Sequence, residues 1–291
     1  MPELPEVETV RLGLERQTRA FCIARVQVLR PRAIAAPSDP GLFALALQGC
    51  AIRRWRRRGK YLLADLSDPH GGDAGVWGVH LRMTGQFLWL PAAASGSSPA
   101  PQPEIPIHTR VRFWGSDGAE LRFIDTRSFG QMWFVPAGQA VESVITGLQA
   151  LGPEPFDRAF SAGYLRDRLR GSRRPIKSAL LDQRLVAGVG NIYADEGLFS
   201  AGIAPQTPSG RLGLPALERL RAALVEVLEA SIGAGGTTFS DFRDLTGTNG
   251  NYGGQAWVYR RAGQPCRRCG ATIERQRLSG RSSHWCPDCQ A

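Results

Sequence analysis

The chain has 291 residues, 43% of them hydrophobic and 8% aromatic, and carries a formal net charge of +10. These values fit a folded protein large enough for two domains, and no run of about 18 apolar residues is present to form a membrane-spanning helix. The charge favours a polyanionic partner. The first residues turn acidic at once, without a basic-then-apolar leader, so a cytosolic location is expected.

The opening Met1-Pro2-Glu3-Leu4-Pro5-Glu6-Val7-Glu8 carries the first chemical signal. Loss of Met1 would expose Pro2 as a secondary amine, which can attack an electrophilic carbon and form a charged iminium. An α-amino group titrates near ~8 and is far more neutral at pH 7 than a lysine. Glu3 and Glu6 lie within one helical turn of it. The same residues also describe an ordinary helix start, with proline in the first turn and acids at the positive end of the dipole.

Residues 3–19 read as a helix, with Val7, Val10, Leu14 and Thr18 at helical spacing. Strand patterns follow at 23–29, 49–55, 61–66, 76–83, 87–90, 110–113, 120–124 and 131–135, separated by turns such as Pro69-His70-Gly71-Gly72. Many short strands predict a sandwich or barrel. The stretch 91–106 is rich in Pro, Ala and Ser and reads as a mobile surface loop without chemistry. Residues 136–155 read as a linker, and helices are expected at 161–170, 176–182, 191–200 and 215–232. The last is amphipathic through Leu217, Leu220, Leu224, Val227 and Leu228.

Basic residues cluster three times: Arg53 to Lys60, Arg166 to Lys177, and Arg260 to Arg281. One cluster would read as a solvated face, but three favour phosphate contacts. Gly188-Val189-Gly190-Asn191 at a helix start is a candidate phosphate cradle, with Asn191 as cap and donor, supported by Arg173 and Lys177. Lys60 opens an apolar strand. Arg127 and Phe129 lie on one turn, with Met83 expected on a neighbouring strand, a set suited to wedging into a base stack. Met83 and Phe129 taken locally read as core.

Cys266, Cys269, Cys286 and Cys289 form C-x2-C-x16-C-x2-C. Two tight turns of two thiolates complete a tetrahedron around one structural zinc. The spacer suits a two-stranded ribbon with Arg277 and Arg281 near its tip, and His284 is expected to be packed rather than a ligand. Cys22 and Cys50 read as core residues.

The chain closely resembles the bacterial formamidopyrimidine-DNA glycosylases. The resemblance runs from Met1 to Cys289 through MPELPEVET, RRGKYLL at 57–63, HLRMTG at 80–85, DTRSFG, LGPEP at 151–155, VAGVGNIYADE at 186–196, AGI at 201–203, GGTT at 235–238 and the cysteine motif. It implies an α+β protein of two domains. An N-terminal β-sandwich with flanking helices would span 1–135, and a linker 136–155. A helical DNA-binding domain with a helix–two-turns–helix would span 156–235, and a base-capping loop with a zinc finger 236–291.

The resemblance also implies the chemistry. Pro2 would attack C1′ of a damaged nucleotide and expel an oxidised purine, and β,δ-elimination would follow. Glu3 would be general acid on the sugar, Glu6 would assist proton transfer, and Lys60 and Arg281 would grip phosphates and assist elimination. His108, Arg173, Lys177 and Asn191 match backbone contacts. Met83, Arg127 and Phe129 match the gap-filling set, because the nucleotide must leave the stack to be reached. Damaged duplex DNA is the implied partner of a monomer that needs one zinc and no organic cofactor. Thr126 and Ser128 depart from the family's Asp-Pro-Arg-Arg-Phe-Gly turn. The segment 245–255 corresponds to the base-capping loop, with a composition that implies mobility. Two other readings are an endonuclease VIII-type enzyme for oxidised pyrimidines, disfavoured by Leu4 with the Met83, Arg127 and Phe129 set, and a non-catalytic zinc-ribbon DNA-binding protein, which leaves Pro2, Glu3 and Lys60 unexplained.

Overall fold

The structure is a computed structural model that describes residues 1–92, 105–238 and 244–291. Most of the loop expected at 91–106 therefore lies outside the described residues. The chain forms two compact units. A sandwich unit holds residues 1–2, 6–149 and 237–250, and a helical unit holds residues 3–5, 150–236 and 251–291.

In chain order the sandwich unit is built from α1 (Leu4–Gln17), β1 (Ile23–Val28), β2 (Ile34–Ala36), α2 (Pro40–Leu47), β3 (Ala51–Arg58), β4 (Tyr61–Ser67), β5 (Asp73–His80), β6 (Gly85–Leu90), β7 (Thr109–Gly115), β8 (Glu120–Asp125), β9 (Gln131–Val135) and the short α3 (Val141–Val144). One sheet runs β1-β7-β8-β6 and the other β2-β9-β5-β4-β3. Every pairing is antiparallel except β2 with β9.

Alternation along the strands sends Trp77, Val79, Leu62 and Trp55 from one sheet, and Val111, Phe113, Leu121 and Phe123 from the other, into a single core. Trp77 meets Phe113 at 4.5 Å in a tilted pair and Phe87 at 6.0 Å edge to face, geometries that add to the burial of large apolar area. Val7, Val10 and Leu14 of α1 join the same core. α2 follows Asp39, whose side chain caps it by accepting from Gly41 N–H at 2.6 Å, with Pro40 in the first turn. Cys50 is buried, as expected, whereas Cys22 is only half-buried. The arginine run does not stand free along β3. Arg54 and Arg56 pair with Asp65, and Arg57 pairs with Glu8.

The helical unit contains α4 (Ala162–Leu169), α5 (Ile176–Leu180), α6 (Asn191–Ala201), α7 (Leu214–Gly233), β10 (Glu274–Leu278) and β11 (Arg281–Trp285). Ser161 caps α4 by accepting from Tyr164 N–H. The turns of residues 181–190 join α5 to α6. α6 is buried nearly all round, because the stripe of α7 (Leu217, Leu220, Leu224, Val227, Leu228), together with α5 and β11, encloses it. No described helix is long and apolar enough to cross a membrane.

Candidate active site and nucleic-acid interface

Leu4–Pro5 and Glu3 pack in the helical unit. Leu4 N–H donates to Gly188 O at 3.1 Å, and Glu3 accepts the α6 amides of Ile192 at 3.1 Å and Tyr193 at 3.4 Å. The first-turn amides of a helix have no partner within it and carry the positive end of its dipole, so they orient a carboxylate well. The glycines make this seat possible. A Cβ on Gly190 would overlap the Glu3 carboxylate, and one on Gly188 (φ +86°) would sit 2.6 Å from Leu4. This corrects the sequence-based cradle: Gly190 rather than Asn191 holds the cap position, and the described amides receive Glu3 instead of standing open to a phosphate.

Asn191 is the first residue of α6. Its Nδ2 donates to Ser282 Oγ at 3.4 Å, and its side chain bonds the Tyr259 phenol. Lys177 is 1% exposed. Its ammonium pairs with Asp195 Oδ1 at 2.7 Å and donates to Ser282 O at 2.5 Å. Asp195 Oδ2 also accepts the backbone N–H of His284 at 3.0 Å and lies 3.1 Å from its Nδ1. Burial pulls the Lys177 ammonium below its usual range, and the Asp195 charge opposes that. His284 is thus packed and hydrogen-bonded, while Arg173 and Arg281 are exposed.

The four cysteine sulfurs lie within 4.8 Å of one another, with Cys269–Cys286 at 3.4 Å and Cys266–Cys289 at 4.0 Å. Zinc–thiolate bonds of about 2.3 Å place tetrahedral sulfurs about 3.8 Å apart, so the set fits one closed zinc site. Burial raises the Cys266 thiol, but the amides of Arg268 and Cys269 bring it down to about 7. Burial and its sulfur neighbours push Cys289 up to about 12, so a cation is needed to hold all four as thiolates. A zinc held there would tie together the two cysteine turns that flank the β10–β11 ribbon, whose second strand begins at Arg281.

In the sandwich unit, Pro2 is buried and Met1 exposed. Glu6 accepts Thr237 N–H at 2.8 Å. Lys60, at the β3–β4 turn, is only 7% exposed. His80 ends β5 beside it. Its Nδ1 accepts Arg82 N–H at 2.9 Å, and burial, with Arg82 and Lys60 adding to it, holds the imidazole down at about 3. Met83 lies in the turn after β5, not on a strand, because Arg82 turns the chain at φ +55°. Phe129 is 39% exposed and Met83 half-exposed, so neither is core. Both line a cavity of about 380 Å³ with Met1, Arg32, Arg82, Ser128 and Gln131. The Arg127 guanidinium stands 4.7 Å over the Phe129 ring and that of Arg32 5.6 Å. His108 is half-buried, 3.2 Å from Arg110.

The segment 245–255 places one side chain in each core. Leu245 is buried in the sandwich core, its carbonyl accepting from Trp89 N–H at 3.1 Å, and Tyr252 is buried in the helical core. Residues 239–243 lie outside the described residues.

Residues 1–132 match the formamidopyrimidine-DNA glycosylase N-terminal domain, 151–243 the formamidopyrimidine-DNA glycosylase H2TH domain, and 263–291 the zinc finger found in FPG and IleRS. The chain belongs to the formamidopyrimidine-DNA glycosylase family. It is 62% identical over 291 residues to the formamidopyrimidine-DNA glycosylase of Parasynechococcus marenigrum, and 64% identical over 292 residues to that of a Synechococcus species, covering 99–100% of each. Among solved structures it resembles a mutant of Lactococcus lactis FPG in complex with a Fapy-dG-containing DNA, with a TM-score of 0.85, 32% identity and 99% of both chains covered. The wild-type Lactococcus lactis protein in complex with an oxidised-pyrimidine-containing DNA matches with a TM-score of 0.84 at 32% identity over 99% of both chains.

Proposed function

We propose that this protein is a bifunctional base-excision repair enzyme. It removes oxidised purines (8-oxoguanine and formamidopyrimidines) from duplex DNA and then cleaves the abasic site. The single observation that carries this is the seating of Glu3, the residue after Pro2, on the α6 amides. An ordinary helix start needs no such long-range seat.

With Met1 removed, the Pro2 nitrogen attacks C1′. The glycosidic bond breaks, the base departs with a proton, and ring opening leaves an iminium between Pro2 and the sugar. Glu3, held by two amides, sits next in the chain to move the ring-oxygen proton. The iminium acidifies C2′–H. Loss of that proton expels the 3′ phosphate, a second elimination expels the 5′ phosphate, and hydrolysis frees Pro2. Lys60 and Arg281 hold phosphates, with Arg281 presented by the zinc ribbon. Glu6 supports proton transfer. Arg173, Asn191 and His108 contact the backbone. Lys177 acts from inside, bracing the carbonyl of Ser282 beside Arg281. Met83, Arg127 and Phe129 fill the gap left by the extruded nucleotide. Exposed basic residues of the clusters, Arg173 and Arg281 among them, offset the cost of bending and flipping through phosphate contacts. The protein works as a monomer in the cytosol, on the nucleoid.

A second reading, oxidised-pyrimidine excision, is kept because a relative is seen with such DNA. The test is borohydride trapping on duplexes carrying 8-oxoguanine opposite cytosine or an oxidised pyrimidine, with Pro2→Gly alongside. An adduct on the purine duplex that disappears in the variant supports the reading. An adduct only on the pyrimidine duplex moves the assignment to the second reading. No adduct on either, with zinc bound and Met1 absent, leaves a DNA-binding protein.

A further inference from the structure

The turns that carry Met83, Arg127 and Phe129 meet on two residues outside the set singled out by sequence, Asp125 and Thr84. Asp125 ends β8 fully buried. Its Oδ1 accepts the Thr84 hydroxyl at 2.5 Å and the Arg127 N–H at 3.2 Å, and its Oδ2 accepts the Gly130 N–H at 2.7 Å. Its backbone N–H donates to His108 O at 2.9 Å, and its carbonyl accepts Arg110 Nε at 2.7 Å. Arg110 in turn lies 3.2 Å from the His108 ring.

Thr84 follows Met83 directly. Its hydroxyl donates to Asp125 and accepts the Arg127 N–H at 3.0 Å. A hydroxyl has one hydrogen and two lone pairs, so both bonds are satisfied at once. One oxygen therefore joins the turn of Met83 to the turn of Arg127 and Phe129. Between those two residues Ser128 adopts φ +53°, a left-handed conformation that a non-glycine residue keeps only where its surroundings impose it.

We propose that Asp125 and Thr84 are positioning residues of the DNA wedge, locking Met83, Arg127 and Phe129 into one rigid unit before DNA is met. This rests on the repair function proposed above. Two turns free to pivot separately would have to be ordered at the moment of insertion. The shared hydroxyl and buried carboxylate complete that ordering during folding.

The test compares Thr84→Val, which keeps the shape and removes the hydroxyl, with Thr84→Ser, which keeps the hydroxyl. Four quantities are read: the excision rate on 8-oxoguanine:cytosine duplex, the fluorescence of a 2-aminopurine beside the lesion, cleavage of a single-stranded abasic oligonucleotide with no stack to wedge, and Tm. Thr84→Val should slow duplex excision about tenfold or more and blunt the 2-aminopurine signal. Single-strand cleavage should stay within about twofold of wild type, and Thr84→Ser should restore the duplex rate. Wild-type excision and fluorescence in Thr84→Val would overturn the proposal. So would equal impairment of both variants, or a parallel fall of Tm and of both activities. Wild-type protein inactive on both substrates would sink the repair reading itself, and the proposal with it.

Discussion

Glu3 accepts the backbone N–H of Ile192, a residue 189 positions further along the chain, at 3.1 Å. The N-terminal carboxylate is therefore positioned by the start of α6 rather than by its own helix. Gly190→Ala should displace it, because the added Cβ overlaps the carboxylate. Single-turnover excision is expected to fall about 100-fold, with Pro2 itself unaltered. Gly190→Ala at the wild-type rate would show that the seat is irrelevant to chemistry.

Asp195 binds Lys177 and β11 together, both with side chains out of solvent. Asp195→Ala leaves a buried ammonium without its counter-charge and should destabilise the protein by about 3–5 kcal/mol. The pair Lys177→Met with Asp195→Leu removes both charges and should cost clearly less. Urea unfolding of the wild type and these variants at pH 7 measures the difference.

His80 sets a pH dependence. Its folded value of about 3 lies below the ordinary 6.5, so the unfolded chain binds the extra proton in the window between them. The contribution is complete above pH 6.5 and is lost as pH falls toward 3. Between pH 7 and 4.5 the wild type should lose about 2–3 kcal/mol more than His80→Asn, which keeps an acceptor for Arg82 N–H. Urea midpoints at the two pH values provide the check, and parallel losses would count against it.

Zinc removal should unravel the ribbon. Protein stripped by a chelator is expected to lose duplex affinity, and one equivalent of zinc should restore it with release of protons from the thiols. Cys286→Ser should bind less than one equivalent. Metal analysis and duplex titration read both effects.

Much of this is legible in the chain. Strands β3 to β9 announce themselves by alternation and turn residues, and the zinc site by cysteine spacing. α2 escapes a reading by periodicity although its start carries a capping signature, Asp39-Pro40, because its apolar run shows no clear period. Met83 reads as part of a strand because His80-Leu81-Arg82-Met83 continues the apolar pattern of β5. Only the backbone reversal at Arg82 ends it. Asp125, Thr84 and Asp195 lie inside quoted motifs, yet their roles are not legible there, since a buried polar residue is explained by its partners, and these lie up to 89 residues away. The phosphate cradle fails for the same reason: its occupant, Glu3, is remote in sequence.

The seat of Glu3 also imposes an order in time. Ribosomes extend chains at about 5–20 residues per second, so roughly 10–40 s separate the synthesis of Glu3 from that of its partner amides. Until those amides are made Glu3 has no seat, so on the function proposed above removal of Met1 in that interval would meet no closed site around Pro2. Trimming in that window would leave folding to close around an amine already freed.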